Sequence, residues 1–202
     1  MTTIKIHADN AILQASETIA NDGVIALPTE TCYGLSCDAT NKKAVEKIYK
    51  IKQRSEGMPL SVMFFDLSAA EEYVDFNEQA IDLAATYWPG PITLVLPRKK
   101  DKELFGVGEE SVGVRVPDHR FCLKLLYQVD LPLVTTSANL SGQDNPYSTE
   151  DVLKYFEGQE HKPDLIIDGG KIEKTQPSTI VDLSGKEIKV LREGSIKINS
   201  KS

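Results

Sequence analysis

An α/β (α+β) domain, a twisted mixed β-sheet flanked by helices, is the fold class this sequence predicts, and three observations carry it. Short apolar runs of strand length alternate along the chain with longer segments whose apolar residues recur at helical spacing. The composition, 41% hydrophobic and 26% charged over 202 residues, is that of a chain with one sizeable core. No internal repeat, low-complexity tract or long linker breaks the alternation, so residues 1–202 read as a single domain.

The elements follow in order. Residues 11 to 21 repeat apolar positions at helical spacing (Ala11, Ile12, Ala15, Ile19, Ala20), with Asp9 or Asn10 as cap and Gly23 as stop. A strand over 24–28 comes next. Asn41 caps a helix through Arg54, whose stripe Ala44, Val45, Ile48 and Ile51 leaves Lys47, Lys50 and Arg54 on other faces. Leu60 to Phe65 reads as a strand, and Leu67 to Val74 and Asn77 to Trp88 as helices, the second ended by Pro89-Gly90-Pro91. Ile92 to Leu96, Val112 to Val116 and Leu131 to Thr135 read as strands, the last two separated by a helix of about ten residues from His119. A helix near Thr149 to Phe156 and strands at Leu165 to Ile167, Thr179 to Val181 and Ile188 to Leu191 complete the chain.

Several classes of protein are excluded at this level. No apolar run approaches the roughly 20 residues a spanning helix needs. The N-terminus, MTTIKIHADNAILQ, has no charged-then-apolar signal layout, so the cytoplasm is the expected location. Cys32, Cys37 and Cys122 have no metal spacing and suit a reducing compartment, and Cys32 reads as a small buried thiol rather than a nucleophile. The histidines His7, His119 and His161 are scattered, without the spacing of a zinc site. A net charge of −7 argues against coating nucleic acid with the whole surface. The runs Lys47, Lys50, Lys52, Arg54 and Arg98-Lys99-Lys100 read first as solvated faces.

Polar clusters at the ends of the predicted strands are the informative feature. Thr29-Glu30-Thr31 ends one strand, Lys52-x-Arg54 ends the following helix, and Arg115 sits at the end of an apolar strand, where a guanidinium needs a partner. Thr135-Thr136-Ser137-Ala138-Asn139 ends another strand, while Pro177-Ser178-Thr179 and Arg192 fall on the arms of a hairpin. Ligands of open sheets bind in the crevice outside strand ends. Arginine forks match carboxylate and phosphate, lysine gives a point charge, and hydroxyls and amides give neutral contacts. The set suits a ligand carrying phosphates and a carboxylate, although neither G-x-x-x-x-G-K-[ST] nor G-x-G-x-x-G occurs.

The ordered blocks GVIALPTETCYGL, KIYKIKQR, WPGPITLVLP, VGVRVPDH, PLVTTSANLSG, DGG, PSTIVDL and LREGSI resemble the YrdC-like threonylcarbamoyl-AMP synthase family, in its short single-domain form, from about residue 10 to residue 196. The hallmark pair of that family, Lys-x-Arg and Ser-x-Asn, stands here as Lys52-Gln53-Arg54 and Ser137-Ala138-Asn139. The resemblance implies a YrdC-like fold with a concave ligand cleft. It also implies condensation of L-threonine, bicarbonate and ATP, with Mg²⁺, to threonylcarbamoyl-AMP and pyrophosphate. The product would pass to tRNA-modifying transferase proteins. Carried over residue by residue, it places Thr31, Arg115, Thr135 and Ser178 around threonine, and Lys52, Arg54, Ser111, Ser137, Asn139, Asn145 and Arg192 around ATP, with Lys52 and Arg54 stabilising the transition state. It implies no covalent nucleophile and no metal ligand from a protein side chain.

Departures from the pattern accompany it. Met63 stands where longer members carry a histidine that helps hold threonine, Met58 where asparagine is common, and Ser55 where proline is usual. The common Leu-Arg-Pro-Gly appears as Leu191-Arg192-Glu193-Gly194, and the chain ends eight residues later, so the second domain of longer members is expected to be missing. Two alternatives accompany the synthase: a structured-RNA-binding module of the same fold, in which weak RNA binding would use the Lys52 and Arg54 cluster, and a sister branch without synthase activity, which typically lacks Ser-x-Asn.

Overall fold

Helix starts in this protein are written in short polar side chains. The computed structural model describes residues 1–185 and 187–198. In it Asn41, Asp66, Asn77 and Ser148 each accept the backbone N–H three residues on, at Ala44, Ala69, Ala80 and Asp151. They open α2 (Lys42–Lys52), α3 (Leu67–Glu71), α4 (Glu78–Tyr87) and α6 (Thr149–Phe156). The two remaining helices, α1 (Ala11–Ala20) and α5 (Arg120–Val129), begin without a side-chain cap; Asn10 holds the cap position of α1 but makes no capping bond. Packing of their apolar faces against each other holds them instead.

The strands are β1 (Thr2–Lys5), β2 (Ile25–Pro28), β3 (Tyr33–Ser36), β4 (Ser61–Met63), β5 (Ile92–Pro97), β6 (Ser111–Arg115), β7 (Leu133–Ser137), β8 (Leu165–Asp168), β9 (Thr179–Asp182) and β10 (Lys189–Arg192). They form one mixed sheet in the order β1-β8-β2-β3-β7-β4-β6-β5-β9-β10. Pairing is parallel at β1/β8, β2/β8, β4/β6 and β5/β9 and antiparallel at the other junctions.

Alternation along the strands divides the core between the two faces. Ala26, Val62, Val134 and Ile166 join the larger cluster, covered by α2, α3, α4 and α6, and Ile25, Leu27, Met63, Leu133, Leu165 and Ile167 join the smaller one under α1 and α5. The face that α1 and α5 cover extends beyond them along β4, β5, β6 and β7. There, at positions that alternate with residues of the larger cluster, the same face carries Ser61, Thr93, Thr135 and Ser137. The uncovered half of that face is the concavity that holds the site.

Two strands escape the sequence reading, and several element ends move. β1 has one partly buried residue and no apolar alternation, so its pairing with β8 supplies its structure. β3, YGLS, is four residues with a glycine inside, and its partners β2 and β7 hold it. The helix expected over Leu67 to Val74 stops at Glu71, and the strand expected from Leu131 begins at Leu133, after a proline that has no N–H to give a ladder. The helix from Asn41 ends at Lys52: Gln53 is left-handed, at φ 49°, and its successor's backbone N–H returns to the Tyr49 carbonyl at 3.0 Å.

Candidate active site

A cavity of about 250 Å³ opens on the uncovered face. Thr31, Arg54, Arg115, Thr135, Ser137, Asn145, Ser178 and Arg192 line it, eight of the eleven residues singled out in the sequence. Lys52, Ser111 and Asn139 stand outside its lining. The early end of α2 explains how Arg54 gets there. Residues two apart cannot share a helical face, and the left-handed turn at Gln53 lets Arg54 swing to the cavity while Lys52 turns inward.

Lys52 is 2% exposed, and its ammonium donates to the carbonyl of Ser137, to the carbonyl of Asn139 at 2.9 Å and to Asn139 Oδ1 at 2.9 Å. Its three protons are thus committed to the Ser137-Asn139 turn rather than to the cavity. Asn139 Oδ1 also accepts the Ser137 hydroxyl at 2.7 Å, and its amide donates to the Gln143 carbonyl. The hallmark residues therefore converge, with Lys52 behind the turn and Arg54 in front of it. Burial, and after it the charge of Arg54, lowers the Lys52 pKa to about 8.

The opposite wall is made by the turn between β2 and β3. Thr29 Oγ1 donates to the Cys32 carbonyl at 2.7 Å, so its contact with Thr31 Oγ1 at 3.0 Å takes the proton of Thr31 and leaves that oxygen an acceptor toward the cavity. Arg115, 6% exposed, enters from the end of β6 and donates through Nη2 to Glu30 Oε1. Arg192 donates through Nε to the Ser178 carbonyl and through Nη2 to Ser178 Oγ, both at 2.9 Å, and Ser178 Oγ lies 3.3 Å from Thr93 Oγ1. Burial and then the charge of Arg115 lower the Arg192 pKa. Arg54 is tied by Nη2 to the Pro59 carbonyl at 3.0 Å. Three guanidiniums around one small cavity, with a single carboxylate at its back, make an anion site.

The floor depends on Gly113 between Ser61 and Thr93. A Cβ there would sit 2.9 Å from Ser61 Oγ and 3.2 Å from Thr93 Cγ2. Cys32 also lines the cavity, but burial raises its pKa, opposite to the shift an activated nucleophile needs. Met63 is fully buried in the smaller core cluster and away from the cavity, and Met58 is exposed, so neither adds to the lining. The sequence reading includes Glu30 and Thr136 in its polar clusters without giving either a role of its own, and it passes over Ser61 and Thr93. The signal for Thr93 was present, since it is the polar residue at an alternate position of the apolar run Ile92 to Leu96.

A family model described as "Telomere recombination", Sua5_yciO_yrdC, matches residues 17–194. The chain belongs to this Sua5/YciO/YrdC family. A protein of Methanocaldococcus jannaschii is 36% identical over 180 residues, which are 89% of this chain and 84% of that protein. The Bacillus subtilis protein named threonylcarbamoyl-AMP synthase is 37% identical over 191 residues, 93% of this chain but 54% of the relative. Among solved structures, P. abyssi Sua5 complexed with L-threonine superposes with a TM-score of 0.84 at 33% identity, covering 96% of this chain and 57% of that one. E. coli YciO gives the same TM-score at 30% identity over 98% of this chain and 96% of its own. The chain thus spans little more than half of the Bacillus and P. abyssi relatives. The YrdC-like fold expected from the sequence is the fold these family structures have.

Proposed function

We propose that this family member is an L-threonylcarbamoyl-AMP synthase, joining L-threonine, bicarbonate and ATP into threonylcarbamoyl-AMP with release of pyrophosphate. The observation that carries the reading is the convergence of Arg54, Arg115 and Arg192 with Thr31, Thr135 and Ser178 on one cavity, in a chain whose P. abyssi relative has been crystallised with L-threonine. Arg115 would take the threonine carboxylate in a forked contact, and Thr31, Thr135 and Ser178 would surround its side chain and amine. Bicarbonate gives CO₂ and hydroxide; the neutral amine adds to the carbon of CO₂, and its proton leaves with the hydroxide as water. An oxygen of the resulting carbamate then attacks the α-phosphorus, and the electron pair of the broken P–O bond leaves with pyrophosphate.

Holding two anions in line is the main task of such a site. Arg54 and Arg192 offset the charge that builds on the phosphates, while Ser137 and Asn145, which line the cavity, orient the nucleotide, and Asn139 holds Ser137 from outside the lining. Lys52 acts through the Ser137-Asn139 turn that it anchors. Among the described residues no group of three His, Cys, Asp or Glu could hold a metal. Mg²⁺ would arrive on ATP, held by phosphates and water, with MgATP as the substrate form.

The product would pass to tRNA-modifying transferase proteins. Cations drawn into a cavity rather than spread over a face favour a small anionic ligand over a structured RNA. No helix of the described residues is long and apolar enough to cross a membrane, and a cytoplasmic location fits the reading. The test is pyrophosphate release by the purified chain. It should require L-threonine and bicarbonate together; release without either one, or none with both, overturns the reading.

A further inference from the structure

We infer that Glu30 is the positioning residue for Arg115, holding the guanidinium in place from behind; the inference rests on the threonine-binding reading of the cavity. The turn Thr29-Glu30-Thr31 alternates: Thr29 and Thr31 line the cavity and Glu30 does not. Its carboxylate instead accepts Arg115 Nη2 in an ion pair whose side chains are 15% and 7% exposed. In the sheet order β3, β7 and β4 lie between β2, which leads into this turn, and β6, which carries Arg115. The pair is thus a brace across three strands, joining the wall that presents Thr31 to the wall that presents Arg115. Thr175 reinforces the turn from outside by donating its hydroxyl to the Thr31 carbonyl at 3.2 Å.

Chemistry selects positioning over a direct role in the reaction. A carboxylate against the substrate's nitrogen would stabilise the ammonium, the form that cannot attack CO₂. Behind Arg115, the same carboxylate supplies the countercharge that a buried guanidinium requires and fixes its direction. The pair consumes one Nη2 proton. Arg115 Nε and Glu30 Oε2 are buried and without a partner among the described residues, and Nη1 makes no bond to them either, so the guanidinium keeps donors for a carboxylate.

Glu30→Gln, which keeps the shape and removes the charge, should raise the KM for L-threonine roughly ten- to hundredfold, the scale of losing a charge-assisted bond, and leave the KM for ATP within about twofold. The double variant Glu30→Gln/Arg115→Lys should be no worse for threonine than Arg115→Lys alone, because Glu30 acts through Arg115. Should Glu30→Gln fail to fold, Glu30→Asp serves in its place and should raise the threonine KM by a smaller factor. Unchanged threonine KM in the folded variant, equal losses for ATP and threonine, or additive losses in the double variant each overturn the inference. A wild-type chain with no threonine-dependent pyrophosphate release would instead overturn the synthase reading itself.

Discussion

Replacing Lys52 by methionine separates anchoring of the Ser137-Asn139 turn from ordinary core packing, since methionine has nearly the same length and apolar stem. The variant removes a charged donor from three acceptors, of which Asn139 Oδ1 keeps the Ser137 hydroxyl. The two carbonyls that lose it cost about 1 to 3 kcal/mol each. Against this, an ammonium whose pKa is held near 8 rather than at 10.5 carries roughly 3 kcal/mol of burial penalty, which the variant relieves. The net loss of stability should therefore be at most about 3 kcal/mol, while kcat/KM for ATP falls on the order of a hundredfold as the turn loses its anchor.

The same residue sets opposite pH trends for stability and activity. Its folded-state pKa is depressed, so the unfolded chain binds more protons between pH 8 and 10.5, and this group's contribution to stability rises with pH across that window. Activity should fall above about pH 8 as the turn loses its charged donor. Denaturant unfolding and a pH–rate profile of both proteins measure these effects. A Lys52→Met enzyme with ordinary kcat/KM for ATP, or a wild-type profile flat from pH 7 to about 9.5, would refute the anchoring role.

Other substitutions test the front of the cavity. Arg115→Lys should raise the KM for threonine far more than that for ATP, because an ammonium cannot reproduce the fork; equal changes in steady-state kinetics would remove Arg115 from the threonine site. Arg54→Ala should lower kcat for threonine-dependent pyrophosphate release about a hundredfold with a smaller effect on ATP affinity, and ordinary turnover would leave Arg54 as a tether to Pro59. Thr31→Val should weaken threonine binding up to about tenfold in calorimetry, the worth of one hydrogen bond, with the melting temperature little changed; an unaltered affinity would make Thr31 a partner of Thr29 alone.

Residue patterns of a local kind were legible in the sequence, and relations across the sheet were not. The helix expected near Thr149 to Phe156 is found over Thr149–Phe156, where Ser148 caps it and Val152 and Phe156 are buried on one side. The polar strand ends that meet in the cavity were legible as clusters because serine, threonine and arginine interrupt apolar runs. What stayed hidden was direction. Lys52 and Arg54 look alike in sequence, yet one left-handed residue between them sends Arg54 to the cavity and Lys52 to the turn behind it. Glu30 stayed hidden for a related reason, since its partner lies 85 positions away and three strands across the sheet. β1 gave no signal because its stability comes from its neighbour rather than from its own side chains.

A structure of the chain with L-threonine and a non-hydrolysable ATP analogue tests the central claim most directly, because that claim is that one cavity holds both. The threonine carboxylate should lie within hydrogen-bond distance of Arg115, and the amine should face the α-phosphate. The phosphates should meet Arg54 and Arg192, and Lys52 should remain on the Ser137-Asn139 turn. Threonine bound away from Arg115, or a nucleotide seated outside this cavity, would contradict the account.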